Sequence, residues 1–262
     1  MPFVSVSDAK IYYELKGAGT CLVFIHGFSL SSRMWNRQVE YFSNHFHTLT
    51  YDLRGFGQSS IPNSSYSHSE DLAALLGQIN INEAVLVGLS RGGRVAIDFA
   101  LAYPEKTKGL ILADTAPVGF FAQNKRTSES SFLSTIFQKQ GLNAALSEWL
   151  SSPLFNFDGR NFESVEETNQ IVQDYSGWHW HSEDPLIESS PYAITQLGKI
   201  KTPTLILVGE NDIEQYQQAA DLMKQGIENS KKTILRNAGH ISNLDQPEKF
   251  NQHLDRFLEK SF

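Results

Sequence analysis

The chain has 262 residues, of which 40% are apolar, 11% aromatic and 19% charged, the composition of an ordinary folded protein with length for one large α/β domain or two small ones. Its 22 Lys and Arg against 29 Asp and Glu give a formal net charge of −7 with no basic cluster, so nucleic acid, whose phosphates need a basic face, is not an expected partner. A single cysteine, Cys21, excludes an intramolecular disulfide framework, and neither a basic-then-apolar leader nor an apolar run of the roughly 20 residues that span a membrane is present, so a cytoplasmic protein is expected.

In chain order, alternation in "FVSVSDAKIYYELKG" predicts a hairpin turning at Ser7 and Asp8. "CLVFIHG" is a continuous apolar run too short for a helix and reads as a strand buried on both faces, with Cys21 an inert thiol at its head. Further strands are expected at "FHTLTYD", "AVLVGLS", "GLILAD", "TPTLILVGE" and "KKTILRN". Helical patterns lie between and after them at "SRMWNRQVEYF", "HSEDLAALLGQI", "RGGRVAIDFALAYP", "EQYQQAADLMKQGI" and "PEKFNQHLDRFLEK", with Pro104 ending the third and Pro247 in the first turn of the last. Strands alternating with amphipathic helices imply a mostly parallel central sheet with helices on both faces.

One long segment breaks that rhythm. Between "GLILADTAP" and "TPTLILVGE" no strand is evident, only helical pieces such as "LNAALSEWL" and "VEETNQIVQDY" and many aromatic residues. An insertion of this length in a compact domain is usually functional. Residues 1–117 and 198–262 are therefore expected to form one core domain, and residues 118–197 a helical lid.

The sequence "AVLVGLSRGGR" at 84–94 runs a buried strand through a Gly-x-Ser-x-Gly turn into a helix. Such a reversal strains its central residue and needs small neighbours two positions away, here Gly88 and Gly92. It presents Ser90 at the carboxyl end of a parallel sheet, where open α/β sheets bind ligands, and beside a helix N-terminus that favours negative charge. A serine hydroxyl needs a base. Among eight histidines, His240 in "LRNAGHISNLDQP" is best placed, in a loop after the last strand. His45, His47, His68 and His253 fall on helical or strand-edge positions and are expected at the surface, and His26 is expected to pack. The base needs a carboxylate, and Asp212 and Asp114 both end strands in the order Ser…Asp…His. Asp212 is preferred because it lies one strand–helix–strand unit before the histidine loop; Asp114, otherwise a strand end capping the lid's first turn, and Glu210 remain alternatives.

Attack on a carbonyl also needs oxyanion donors, for which the backbone N–H groups of Arg91 and Phe28 are the candidates. The Arg91 side chain is expected in a surface ion pair, with a substrate carboxylate as the alternative. Trp149, Trp178, His179 and Trp180 are candidate substrate-lining residues of the lid. "SGWHWHSED" at 176–184 invites a metal reading through His179 and His181, but no further ligand spacing supports it and no metal is expected. No glycine motif of the nucleotide-binding kinds is present.

Taken together, "HGF" at 26–28, "DLRGFGQS" at 52–59, "GLSRGG" at 88–93, "GEND" at 209–212 and "AGH" at 238–240 make the chain resemble an α/β-hydrolase over nearly its full length, similar to small capped serine esterases and enol-lactonases. The resemblance implies an α/β-hydrolase fold, Ser90 as nucleophile, Asp212 as acid, His240 as base and Phe28 and Arg91 as oxyanion donors. It also implies no cofactor, and a small-molecule ester or lactone as partner. It further implies that "DLRGFGQS" is architectural, with Asp52 and Arg54 expected to pair. Carbon–carbon bond hydrolases and perhydrolase or haloperoxidase relatives share such a triad, and a non-catalytic small-molecule receptor is the reading from another class.

Overall fold

The structure, a computed structural model, describes residues 2–121 and 128–262, with residues 128–130 described by backbone alone. Its centre is an eight-stranded sheet in the order β1-β2-β4-β3-β5-β6-β7-β8, formed by β1 (Phe3–Val6), β2 (Ala9–Lys16), β3 (Cys21–Ile25), β4 (His47–Tyr51), β5 (Ala84–Leu89), β6 (Thr107–Ala113), β7 (Thr204–Gly209) and β8 (Ser230–Leu235). β1 and β2 are antiparallel at one edge, turning at Ser7 and Asp8, and β2 is antiparallel to β4; every other pairing is parallel.

Every residue of β3, β5 and β7 is buried, which explains their unbroken apolar runs: helices cover both faces of the sheet. The edge strand β8 instead leaves five of its six residues partly or fully exposed, with lysines at 231 and 232, a composition that discourages further strand addition. The covering helices are α1 (Asn36–Phe42), α2 (His68–Gln78), α3 (Arg91–Ala102), α7 (Glu214–Gly226) and α9 (Pro247–Ser261), with a single-turn α8 (Ser242–Asp245) before the last. In α9, Phe250, Leu254 and Leu258 recur every four residues and are all buried, and Pro247 occupies its first turn.

Between β6 and β7 the described residues contain no strand. They form α4 (Ser128–Gln140), α5 (Leu142–Leu150), α6 (Phe162–Gln173) and short 3₁₀ turns, joined to the remainder by an isolated bridge from Leu186 to Tyr66. Residues 122–127, inside the expected lid, lie outside the described residues. This segment is pinned by buried polar contacts. Arg160 donates to Asp245 of α8 at 2.7 Å and to Thr168 of α6 at 2.7 Å, and the Trp178 indole donates to the Gly55 carbonyl at 2.7 Å.

The "DLRGFGQS" turn braces the carboxyl side of β4, but not through the expected Asp52–Arg54 pair. Asp52 accepts the backbone N–H groups of Ser32 (2.7 Å) and Gln58 (2.8 Å). Arg54 turns the other way and forms a two-pronged pair with Asp71 (3.0 and 2.7 Å) and a bond to Asp8 (2.6 Å). Both groups are buried, so each needs its own partners: backbone N–H groups satisfy Asp52, while α2 and the hairpin satisfy Arg54.

Candidate active site

The sheet order places β4 on one side of β3 and β5 on the other, so the order of strand addition reverses between the parallel β3 and β5. A crevice opens at the carboxyl ends of strands at such a point. Ser90, the residue after β5, sits there with φ 53° and ψ −114°, a left-handed geometry that side-chain-bearing residues adopt at a cost. Its neighbours show why glycine is required. A Cβ on Gly88 would come within 2.3 Å of the Gly92 carbonyl oxygen, and one on Gly92 within 2.0 Å of the Ile25 carbonyl oxygen. The turn is held from behind by Ser90 N–H donating to Ala113 O (2.9 Å) and by the Thr115 hydroxyl donating to Ser90 O (2.5 Å).

Ser90 Oγ lies 2.9 Å from His240 Nε2, and His240 Nδ1 lies 2.9 Å from Asp212 Oδ2. Asp212 comes from the loop between β7 and α7, and its other oxygen accepts the N–H of Ile213 at 2.8 Å. The histidine loop approaches so closely that a Cβ on Gly209 would meet the Gly239 carbonyl oxygen at 2.2 Å. The loops are stitched by Glu210 N–H to Leu235 O (3.0 Å) and Asn211 N–H to Ala238 O (2.8 Å), and the Glu210 carboxylate accepts Asn237 N–H (3.1 Å) rather than reaching the imidazole. Because a carboxylate only accepts, the proton of the ring belongs on Nδ1, which leaves Nε2 free to accept from the Ser90 hydroxyl. Both His240 and Asp212 are buried, and the Tyr216 ring lies 4.2 Å from the imidazole, centroid to centroid.

Asp114, the alternative acid, ends β6 with φ 47° and is fully buried. It accepts the Gly209 N–H at 2.8 Å and bonds the Ser242 hydroxyl, tying the end of β7 to α8; it does not cap the inserted helical segment. Burial, and then the charge of nearby Asp212, push its carboxyl well above the ordinary carboxylate range. His26 packs as expected: its Nε2 accepts Leu53 N–H at 2.9 Å, and its ring is fully buried. His68 does not lie at the surface. It is buried at the start of α2 with its ring 5.1 Å from Tyr66, and burial holds its protonation well below the ordinary histidine range.

A cavity of about 550 Å³ opens over Ser90 and His240. Phe28 from the turn after β3 and Arg91 from the start of α3 border it, as do Trp149, His179 and Trp180, three of the four expected lining residues. Trp178 does not. It lies against the turn at Gly55, where an added Cβ would come within 2.4 Å of its Nε1, so its ring packs the segment onto the core. Phe132 and Phe162 are exposed and do not line the cavity, whereas Phe121 and Phe155 do. The Trp149 indole donates to Ser29 Oγ at 2.7 Å, fixing α5 to the turn that carries Phe28.

His179 and His181 do not share a face. His179 Nδ1 bonds the Tyr175 hydroxyl at 2.5 Å, while His181 stacks on Phe137 at 4.8 Å. Among the described residues, no group of three or more His, Cys, Asp or Glu is arranged to hold a metal ion. Burial pulls His179 down to about 4, so it is neutral at physiological pH. Arg91 is not in a surface ion pair. Its guanidinium lies over the Phe28 ring at 5.0 Å, inside the cavity wall, with Asp184 at 3.9 Å. Asp184 and Arg94, which also border the cavity, were not singled out from the sequence; Asp184 stands in the aperiodic stretch "SGWHWHSED", which offers no spacing signal.

A family model described as the alpha/beta hydrolase family matches residues 22–253. The chain is 27% identical to a pimeloyl-acyl-carrier-protein methyl ester esterase of Nitrosospira multiformis, over 96% of this chain and 99% of that protein. It is 27% identical to a 3-oxoadipate enol-lactonase of Acinetobacter baylyi, over 98% and 96% of the two chains. Among solved structures, a thermophilic esterase from Thermogutta terrifontis superposes with a TM-score of 0.82 at 26% identity, covering 100% of this chain and 99% of that one. With its mostly parallel sheet, its serine turn after β5 and this match across most of its length, the chain belongs to the alpha/beta hydrolase family.

Proposed function

We propose that the protein is a serine hydrolase that cleaves a carboxylic ester or lactone through an acyl-enzyme. The observation that carries this reading is the unbroken hydrogen-bonded line from Ser90 through His240 to Asp212, with both links at 2.9 Å. In this reading His240 Nε2 takes the Ser90 proton as Oγ attacks the carbonyl, and Asp212 stabilises the imidazolium that forms. The tetrahedral oxyanion is held by the backbone N–H groups of Phe28 and Arg91. Arg91 opens α3, so its amide is one of the four without an intrahelical acceptor, and one such donor is worth about 3 kcal/mol in the transition state. His240 then returns the proton to the leaving alcohol, and water repeats the sequence on the acyl-enzyme. Residues 118–197 act as the lid, whose described residues wall the cavity, with Trp149 bonded to Ser29 as one of its fixed points.

The esterase and enol-lactonase names of the relatives support the substrate class. The test is hydrolysis of p-nitrophenyl butyrate and of a simple lactone by the purified protein, with Ser90→Ala alongside. The proposal expects turnover in the parent and its loss by about 10³-fold or more in the variant; equal rates in both would remove Ser90 from the chemistry.

A further inference from the structure

Three buried or largely buried arginines anchor this molecule, and two of them have every guanidinium nitrogen hydrogen-bonded. Arg54 spends its donors on Asp71 and Asp8, and Arg160 on Asp245, Ser164, Thr168 and the Phe155 carbonyl. Arg91 differs. Its side chain is 19% exposed, it borders the cavity above Ser90, and among the described residues its guanidinium makes no hydrogen bond. Its nearest charge partner, Asp184, stands at 3.9 Å, and what fixes it in place is stacking on Phe28 (5.0 Å) and Phe56 (5.6 Å).

Asp184 orients this guanidinium without filling its donors. The carboxylate accepts the Tyr66 hydroxyl at 3.1 Å and the Leu186 N–H at 3.2 Å, and faces His179 Nε2 at 3.5 Å. Burial would raise its carboxyl, but the contact with His179, then the charge of Arg91 and the Tyr66 bond, outweigh it and hold Asp184 below the usual carboxylate range, hence ionised. Arg94 borders the same cavity and pairs with Glu188 at 3.0 Å on its more open side. Much of the remaining wall is apolar, with Leu133, Trp149, Leu154 and Phe155 among its residues, alongside the polar Ser182 and Tyr216.

A planar fork of N–H donors, pre-oriented and left open toward a cavity, is suited to a carboxylate, which it can bind with two parallel hydrogen bonds. We propose that Arg91 selects substrates carrying a second, anionic group, so that the ester or lactone cleaved at Ser90 belongs to an acid with a free carboxylate and a short aliphatic body. This rests on the hydrolase reading and narrows it. The bulk charge of −7 repels such anions at long range, so any preference for them must be local.

The test compares monomethyl with dimethyl esters of succinate, glutarate and adipate, reading the ratio of kcat/KM for half-ester over diester. A charged hydrogen bond of ordinary strength predicts a ratio of about 10 to 100 for the best chain length. Arg91→Gln should lower that ratio at least tenfold, mainly through KM, and Arg91→Lys should lower it as well because the fork is lost. Asp184→Asn, which removes the competing charge but keeps an amide of the same shape, should raise it. Calorimetric titration of glutarate into wild type and Arg91→Gln gives a readout independent of turnover, with binding expected only in the former. A ratio unchanged in Arg91→Gln and Arg91→Lys at every chain length, or equal glutarate binding by both proteins, overturns the inference and leaves the hydrolase reading intact. Turnover that survives in Ser90→Ala overturns the hydrolase reading instead.

Discussion

Replacing Asp212 with asparagine keeps the shape of the side chain and reverses one hydrogen bond. At present one carboxylate oxygen accepts Ile213 N–H at 2.8 Å and the other faces His240 Nδ1 at 2.9 Å. The Ile213 N–H can only donate, so it draws the amide oxygen to its side and turns the NH₂ toward the imidazole. Nδ1 must then accept, and the ring proton moves to Nε2, where it confronts the Ser90 hydroxyl instead of receiving its proton. The equivalent change in a Ser-His-Asp protease lowers kcat about 10⁴-fold, which at 1.36 kcal/mol per tenfold is roughly 5 kcal/mol of barrier. Asp114→Asn should behave quite differently. Its amide oxygen can keep the Gly209 N–H bond and its NH₂ can donate to the Ser242 hydroxyl, and the carboxyl it replaces is already biased toward the neutral form. A loss of less than about tenfold in kcat is expected, the range of a change that touches no reacting atom. Steady-state rates on p-nitrophenyl butyrate, with thermal melts to show that both variants fold, decide the matter. If Asp114→Asn were the crippled enzyme and Asp212→Asn the active one, the assignment of the acid would be wrong.

Two further outcomes concern the scaffold. Gly92→Ala drives a methyl group into the backbone carbonyls of Ile25 and His26, at 2.0 and 2.8 Å, and should cost about 1–3 kcal/mol or more in urea unfolding, whereas Gly77→Ala, with nothing within 4 Å in the last turn of α2, should gain about 0.4–1 kcal/mol by restricting the unfolded chain; equal effects would contradict the close approach of β3 and α3. Burial raises the Asp98 carboxyl to about 6 from 3.8, so the stability it contributes is fully present below about pH 4 and lost as pH rises through 6. Asp98→Asn should therefore unfold at higher urea than wild type at pH 8, by up to about 3 kcal/mol, with the gap closing at pH 4; a gap independent of pH would rule out the titration as its cause.

The inner strands were readable because burial on both faces leaves an unbroken apolar run, the β1–β2 hairpin because its residues alternate, and the parallel arrangement followed from helices of amphipathic period between the strands. That Ser90, Asp212 and His240 come to one place was readable for a related reason: each follows the carboxyl end of a parallel strand, and glycines at 88, 92, 209 and 239 mark where backbones must touch. Side-chain pairings were much less legible. Asp52 and Arg54 are two residues apart and of opposite charge, yet they point to different elements, and Arg54 meets Asp71 only because α2 packs beside that turn. His68 gave no sign of burial because one polar residue on the inner face of α2 looks the same in sequence as one on the outer face. Asp184 and Trp178 lie where the chain has no period at all, so only the folded path tells that one borders the cavity and the other packs beneath it.

The most direct measurement is covalent labelling with a fluorophosphonate followed by peptide mass spectrometry. An oxygen made nucleophilic by its neighbours should carry the adduct at residue 90 alone, at one equivalent per chain, with no adduct in His240→Ala. Labelling spread over several serines, or undiminished in that variant, would mean that the hydroxyl and imidazole do not work together.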